Sequence, residues 1–149
     1  MKKLVLSLLL LFTVAVSSLM AGSWKDTVHD TFNVTSVLRI MRDAGYSVSV
    51  TDNGAIQWKI NGYKSFIFFD DDNEAIQFYI GFDSDNATVE RCNEFNKKYR
   101  YVRTYMKKPG DVKLEMDLSF TGGITEARLK RFLQTCKFAF EEWHKQVVR

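Results

Sequence analysis

The side chains in this 149-residue chain that lend themselves most readily to chemistry are two histidines, two cysteines and some clustered carboxylates. A Ser–His–Asp or Cys–His catalytic set would need His29 or His144 as its base, and neither lies in a recognisable nucleophile motif. The residues predict no enzyme, no catalytic side chain and no cofactor. The runs Asp70-Asp71-Asp72-Asn73-Glu74 and Asp83-Ser84-Asp85 offer carboxylate oxygens of the kind that suit calcium. Counted as a calcium loop from Asp83, Asp85 takes the third position and Glu94 the twelfth. Ala87 then stands at the fifth position, and Thr88 at the sixth, where the loop's turn needs glycine. These runs read as a solvated turn and a helix cap, and no metal site is predicted.

Two further groups could make contacts rather than do chemistry. Tyr101, Arg103 and Tyr105 alternate along a predicted strand and form an aromatic and basic stripe on its outward side. Phe138 points away from the apolar stripe of its helix, among Lys130, Arg131, Gln134, Lys137 and Glu141. Together they are the candidate partner surface, facing protein rather than nucleic acid, because the charge balance is too even for a dedicated nucleic-acid binder.

The amino terminus predicts export. Lys2 and Lys3 precede an apolar run from Leu4 to Val16, and residues 17–23 are rich in small side chains. Cleavage after Ala21 or after Ser23 fits. The expected organisation is a signal peptide over residues 1–21 and one domain over 22–149, periplasmic or secreted. The apolar run is short for a span of about 20 residues, so no stable membrane anchor is expected after cleavage. Without Lys2 and Lys3 the net charge is +1, split into −5 over residues 22–86 and +6 over residues 87–149. A split of that kind can steer self-association into a homodimer, or association with a dipolar partner.

In an oxidising compartment Cys92 and Cys136 invite pairing. A bond needs their Cα atoms within roughly 7 Å. The alternative is two buried thiols on separate helices.

The elements that must position these residues are legible from periodicity. Val34, Val37, Leu38 and Met41 recur at helical spacing, with Gly45 after them, which predicts a helix over Asn33 to Ala44. Residues Trp24 to Thr31 are expected to extend that helix or fray. Four strands follow: Tyr46–Val50, Ile56–Ile60, Phe66–Phe69 and Ile76–Phe82, joined by turns at Asp52-Asn53-Gly54, Asn61-Gly62 and Asp70–Asn73. Phe66-Ile67-Phe68-Phe69 is apolar on both faces, so that strand should be central or covered on both sides. A second helix over Ala87–Lys98 takes its cap from Asp83–Asn86. The last hairpin pairs Tyr101–Met106 with Val112–Phe120. A three-residue loop Pro109-Gly110-Asp111 would set Arg103 opposite Asp117 and Tyr105 opposite Glu115. Thr125 caps a final helix that buries Leu129, Phe132, Leu133, Cys136, Phe140 and Trp143. The predicted fold class is α+β, an antiparallel sheet with packed helices in the order α-β-β-β-β-α-β-β-α.

Several of these pieces, in this order, carry a family resemblance. They are Asp43-Ala44-Gly45-Tyr46 before the meander, Asn93-Glu94-Phe95-Asn96 with Arg100, the strand Tyr101–Tyr105, and Leu114–Leu118 followed by Gly122-Gly123-Ile124-Thr125. From Val34 to about Trp143 the chain resembles the YbjN-type family of bacterial sensory-transduction regulators. Many members carry a cysteine pair in the meander, where this chain has Asp70-Asp71-Asp72 and Ile76. The resemblance implies a fold similar to type III secretion chaperones, which are dimeric α/β peptide-chaperoning modules, and no enzyme activity. The motif residues Asn93, Asn96, Arg100, Gly122 and Gly123 are expected to be structural. The sequence thus predicts an exported, non-enzymatic module, chaperone-like or regulatory, that binds a protein or peptide. The alternative is a binder of a small apolar ligand or lipid, since Phe66–Phe69 is apolar on both sides.

Overall fold

Val37, Ile40 and Met41 fall on one side of a helix, and that side is completely buried. This helix, α1 (Val34–Asp43), starts where the Asn33 side chain accepts from the Ser36 amide at 2.9 Å. It stops at Gly45, whose φ of +79° lets the Gly45 and Tyr46 amides turn back onto the carbonyls of Arg42 and Met41. The computed structural model describes residues 27–149, so the predicted signal peptide lies outside the described residues. No helix among them is long and apolar enough to cross a membrane.

The strands are β1 (Ser47–Val50), β2 (Ile56–Ile60), β3 (Tyr63–Phe69), β4 (Ala75–Asp83), β5 (Arg103–Lys108) and β6 (Asp111–Ser119). They form one antiparallel sheet in the order β1-β2-β3-β4-β6-β5. Helix α2 (Val89–Lys98) links β4 to β5, and α3 (Glu126–Trp143) follows β6 and ends in a π-helical turn over His144–Val148. The element order and fold class are those read from the sequence.

Alternate residues of the strands point to one face, where Trp58, Ile67, Phe78, Ile80, Leu114 and Met116 meet the stripes of all three helices. Each large apolar side chain buried there contributes about 1.5–3 kcal/mol. At the helix layer's rim Glu126 is 1% exposed. Its burial works to raise its pKa. The hydrogen bonds from Lys130 at 2.7 Å and Arg39 at 3.3 Å outweigh that and hold it below the usual carboxylate value, tying α1 to α3.

The structure corrects several local expectations. Residues 27–31 do not extend α1. His29 pairs with Ile124 through two backbone hydrogen bonds of 2.9 and 3.0 Å. The cap of α2 is Thr88, which accepts from the Arg91 amide, rather than a residue of Asp83–Asn86. Strand β5 begins at Arg103. Tyr101 precedes it with φ of +64° and is 83% exposed, so it is not part of the stripe.

The last hairpin is two residues out of the predicted register. Arg103 faces Glu115 and Tyr105 faces Lys113. Pro109-Gly110 alone makes the turn, Lys108 pairs with Asp111, and Lys107 is the extra residue of a bulge. The bulge preserves parity, so the buried faces still match. Strand β3 is central as expected, but no described element covers its second face, where Phe66 and Phe68 are half-buried.

Candidate protein-binding face

Every helix among the described residues lies on one side, so no described element covers the other side of the sheet, here called the bare face. The pleat sends Gln57, Lys59, Lys64, Phe66, Phe68, Gln77, Tyr79, Lys113, Glu115, Asp117, Arg103 and Tyr105 outward onto it. Successive pairings put Gln57, Phe66, Tyr79, Glu115 and Arg103 in one row across five strands. Phe66 and Phe68 stack with ring centroids 5.9 Å apart, and Tyr79 meets Phe68 edge-on at 5.8 Å.

The β5 side of this face is a polar clamp. Glu115 is 5% exposed although it lies on the bare side. One of its oxygens accepts from Arg103 Nε at 2.9 Å and also from Arg103 Nη2. The other accepts from the Tyr105 hydroxyl at 2.6 Å. That hydrogen bond, aided by burial and by the negative charge of Glu115, pushes Tyr105 up to about 12. Arg103's own hydrogen bonds to Glu115 raise it above its ordinary value. Beside them Lys113 lies flat over Gly81, where an added Cβ would come within 2.6 Å of its chain, and pairs with Asp111. The pair raises Lys113 and lowers Asp111. Gln77 donates to Asp117 at 2.9 Å.

The structure does not bring the four predicted partner residues together. Arg103 and Tyr105 share the bare face. Phe138, 56% exposed, belongs to the helix layer on the opposite side, where its ring meets Tyr99 edge-on at 6.3 Å. Phe66, Phe68 and Tyr79 were missed as a surface. The apolar run at Phe66–Phe69 was the available signal, but it reads as well for a strand covered on both sides. Ile67 and Phe69 do enter the core, so the outward aromatic residues form an open surface rather than an enclosed cavity.

The family-motif residues divide by role. The Asn96 amide clamps the backbone of Thr104, donating to its carbonyl at 2.9 Å and accepting from its amide at 3.0 Å. Asn93 and Arg100 are exposed. Gly122 and Gly123 both have positive φ, and Gly123 lies so close to Val28 that a Cβ there would fall 2.1 Å from Val28 Cγ1.

Cys92 and Cys136 are buried free thiols in the structure, the alternative to the possible bridge. Cys92 lies 3.7 Å from the Thr104 hydroxyl, and that hydroxyl also accepts from the Trp143 indole at 2.8 Å. Cys136 is two helical turns from Trp143, about 10 Å along α3. Burial pushes both thiols up.

His144 is 9% exposed and sits among the rings of Tyr63, Phe82 and Phe140, at centroid distances of 4.8, 5.3 and 5.7 Å. Burial, with Arg149 nearby, lowers its pKa. No three His, Cys, Asp or Glu side chains among the described residues converge as metal ligands. A groove of about 400 Å³ beside α2 is lined by charged side chains, among them Glu90, Arg91, Glu94 and Lys97.

Two solved structures share this architecture. The crystal structure of E. coli YbjN, a "putative transcription regulator", superposes with a TM-score of 0.64 at 14% identity, covering 83% of this chain and 99% of that one. The Yersinia pestis type III secretion chaperone SycH, solved in complex with a stable fragment of YscM2, gives 0.51 at 11% identity, covering 69% and 92%. At these identities the likeness is one of fold. No curated protein matches the chain. The YbjN family model, described as "Putative bacterial sensory transduction regulator", matches residues 33–147, which hold the whole sheet and its three helices, and the chain belongs to that family.

Proposed function

We propose that this chain is an exported, non-enzymatic protein-binding module, regulatory or chaperone-like, that engages its partner through the bare face of its sheet. The observation that carries this reading is the aromatic cluster of Phe66, Phe68 and Tyr79 beside the Arg103–Glu115–Tyr105 clamp on that face. A row of aromatic side chains next to ordered polar groups is the composition of a protein interface. The clamp is already formed, so binding does not have to order it. The SycH complex supports the reading, because a module of this fold is there seen with a protein fragment bound. Lys2, Lys3 and the run Leu4–Val16 support export.

Photo-crosslinking in the native cell tests the site. A benzophenone side chain at position 66 should crosslink to a partner that, once identified and purified, binds the wild-type protein. The Phe66→Ser/Phe68→Ser variant should lose that binding. Crosslinks formed only from position 138 would move the site to the helix layer. Crosslinks from position 66 only to a second copy, with a dimer in light scattering, would make the face a self-association surface.

A further inference from the structure

On the bare face Glu115, Asp111 and Asp117 are engaged within the molecule, while Asp83, opposite Asp111 at the far end of β4, is exposed. Glu115 is held by Arg103 and Tyr105, Asp111 by Lys113, and Asp117 accepts from Gln77. On β2 and β3 two cations are left over. Lys59 and Lys64 face each other directly across β2 and β3, both exposed, and neither has an ion-pair or hydrogen-bond partner among the described residues. Like charges directly opposite on paired strands are destabilising, and an anion from outside relieves that cost.

On β3 the order on this face is Lys64, Phe66, Phe68, in steps of about 6.8 Å. An extended segment lying along β3 would meet one cationic position and then two aromatic ones. Lys59 doubles the charge at the first. We infer that the partner contacts this face with an acidic segment, its carboxylates at Lys59 and Lys64 and its apolar side chains on Phe66, Phe68 and Tyr79. The inference rests on the bare face being the binding site and adds the chemistry of what binds there.

Two fluorescein-labelled ten-residue peptides test it, each with leucine at two alternate positions and differing only in three glutamates replaced by lysines. Their binding to protein produced from the full chain is read by anisotropy at low and high salt. The acidic peptide should bind about tenfold more tightly than its basic twin at low salt, and the gap should shrink as salt screens it. Lys59→Glu/Lys64→Glu should abolish or reverse the preference while circular dichroism and the melting midpoint stay as in the wild type. Phe66→Ser/Phe68→Ser should weaken both peptides.

Equal binding of the two peptides, binding of neither, or a preference that survives the double lysine substitution would overturn the inference. So would binding of phosphatidylglycerol vesicles, lost in the lysine variant, with no binding of the acidic peptide. Position 66 crosslinking to a protein while the two peptides bind equally leaves the binding face standing and removes only its charge preference. No crosslinking from position 66 removes the face itself.

Discussion

Thr104 is polar and 3% exposed, and it joins four elements through one hydroxyl and one peptide unit. The hydroxyl donates to the Lys113 carbonyl of β6 at 2.7 Å, accepts from Trp143 of α3 and lies against Cys92 of α2. Thr104→Val keeps the shape and strands the buried indole N–H. We expect a loss of about 2 kcal/mol, the usual cost of an unsatisfied buried donor, read as a lower urea midpoint with an unchanged slope. An unchanged midpoint would mean that the indole finds another acceptor. Tyr105 offers a test by pH. Its folded-state pKa of about 12 lies above the ordinary value of 10. Its hydrogen bond to Glu115 therefore stabilises the fold fully below pH 10 and is lost as pH rises through 12. The stability gap between wild type and Tyr105→Phe should be constant up to about pH 10 and close toward pH 12. NMR of ring-labelled tyrosine should show one resonance titrating near 12 that Tyr105→Phe deletes. The role of Thr104 was not legible in the sequence, and Tyr105 was expected beside Glu115 only through a register two residues away from the one observed. Thr104 reads as one more inward position of a strand, and Glu115 as an outward acid.

At the scale of elements, the two edges of the sheet are managed differently. On β5 the Asn96 side chain occupies the Thr104 amide and carbonyl as a neighbouring strand would, which keeps that edge from pairing with another chain. Asn96→Ala should cost about 1–2 kcal/mol for two lost hydrogen bonds and speed amide exchange at Thr104. Exchange at Thr104 as slow as in the wild type would show that the clamp is dispensable. The asparagine was visible in the sequence as part of a helix motif, but its acceptor was not, since that depends on how α2 docks on β5. The hairpin register makes the same point. Alternation fixed which residues of β5 and β6 are buried, and two registers two residues apart satisfy it equally. Both also put Arg103 opposite an acid, Asp117 or Glu115. The bulge at Lys107 chose between them.

For the molecule as a whole, the end of α3 is locked to the sheet through His144. Its ring packs on Tyr63, Phe82 and Phe140, and the π-helical turn after it is held where Ser84 donates to the Val148 carbonyl at 2.6 Å. A buried histidine whose pKa is lowered favours its neutral form in the fold. The stability it confers is present above its unfolded value of about 6.5 and is lost as pH falls below it. Thermal melts from pH 7.5 down to 5 should show a falling midpoint that His144→Phe flattens. An equal slope in the variant would place the acid sensitivity elsewhere.

Element order, the buried stripe of each helix and the inward residues of each strand follow from the sequence, because periods of two and 3.6 are local and hydrophobic burial enforces them. The sequence also carried the family, through motifs whose spacing survives in one dimension. Only the packing in three dimensions puts all three helices of the described residues on one face, and so leaves the other without a described layer over it. The outward side of a central strand reads the same in sequence whether a second layer covers it or not. That undetermined layer is why Phe66 and Phe68 looked like core and proved to be surface. It is also why Phe138 and Tyr105, both outward in their own elements, ended on opposite sides of the molecule.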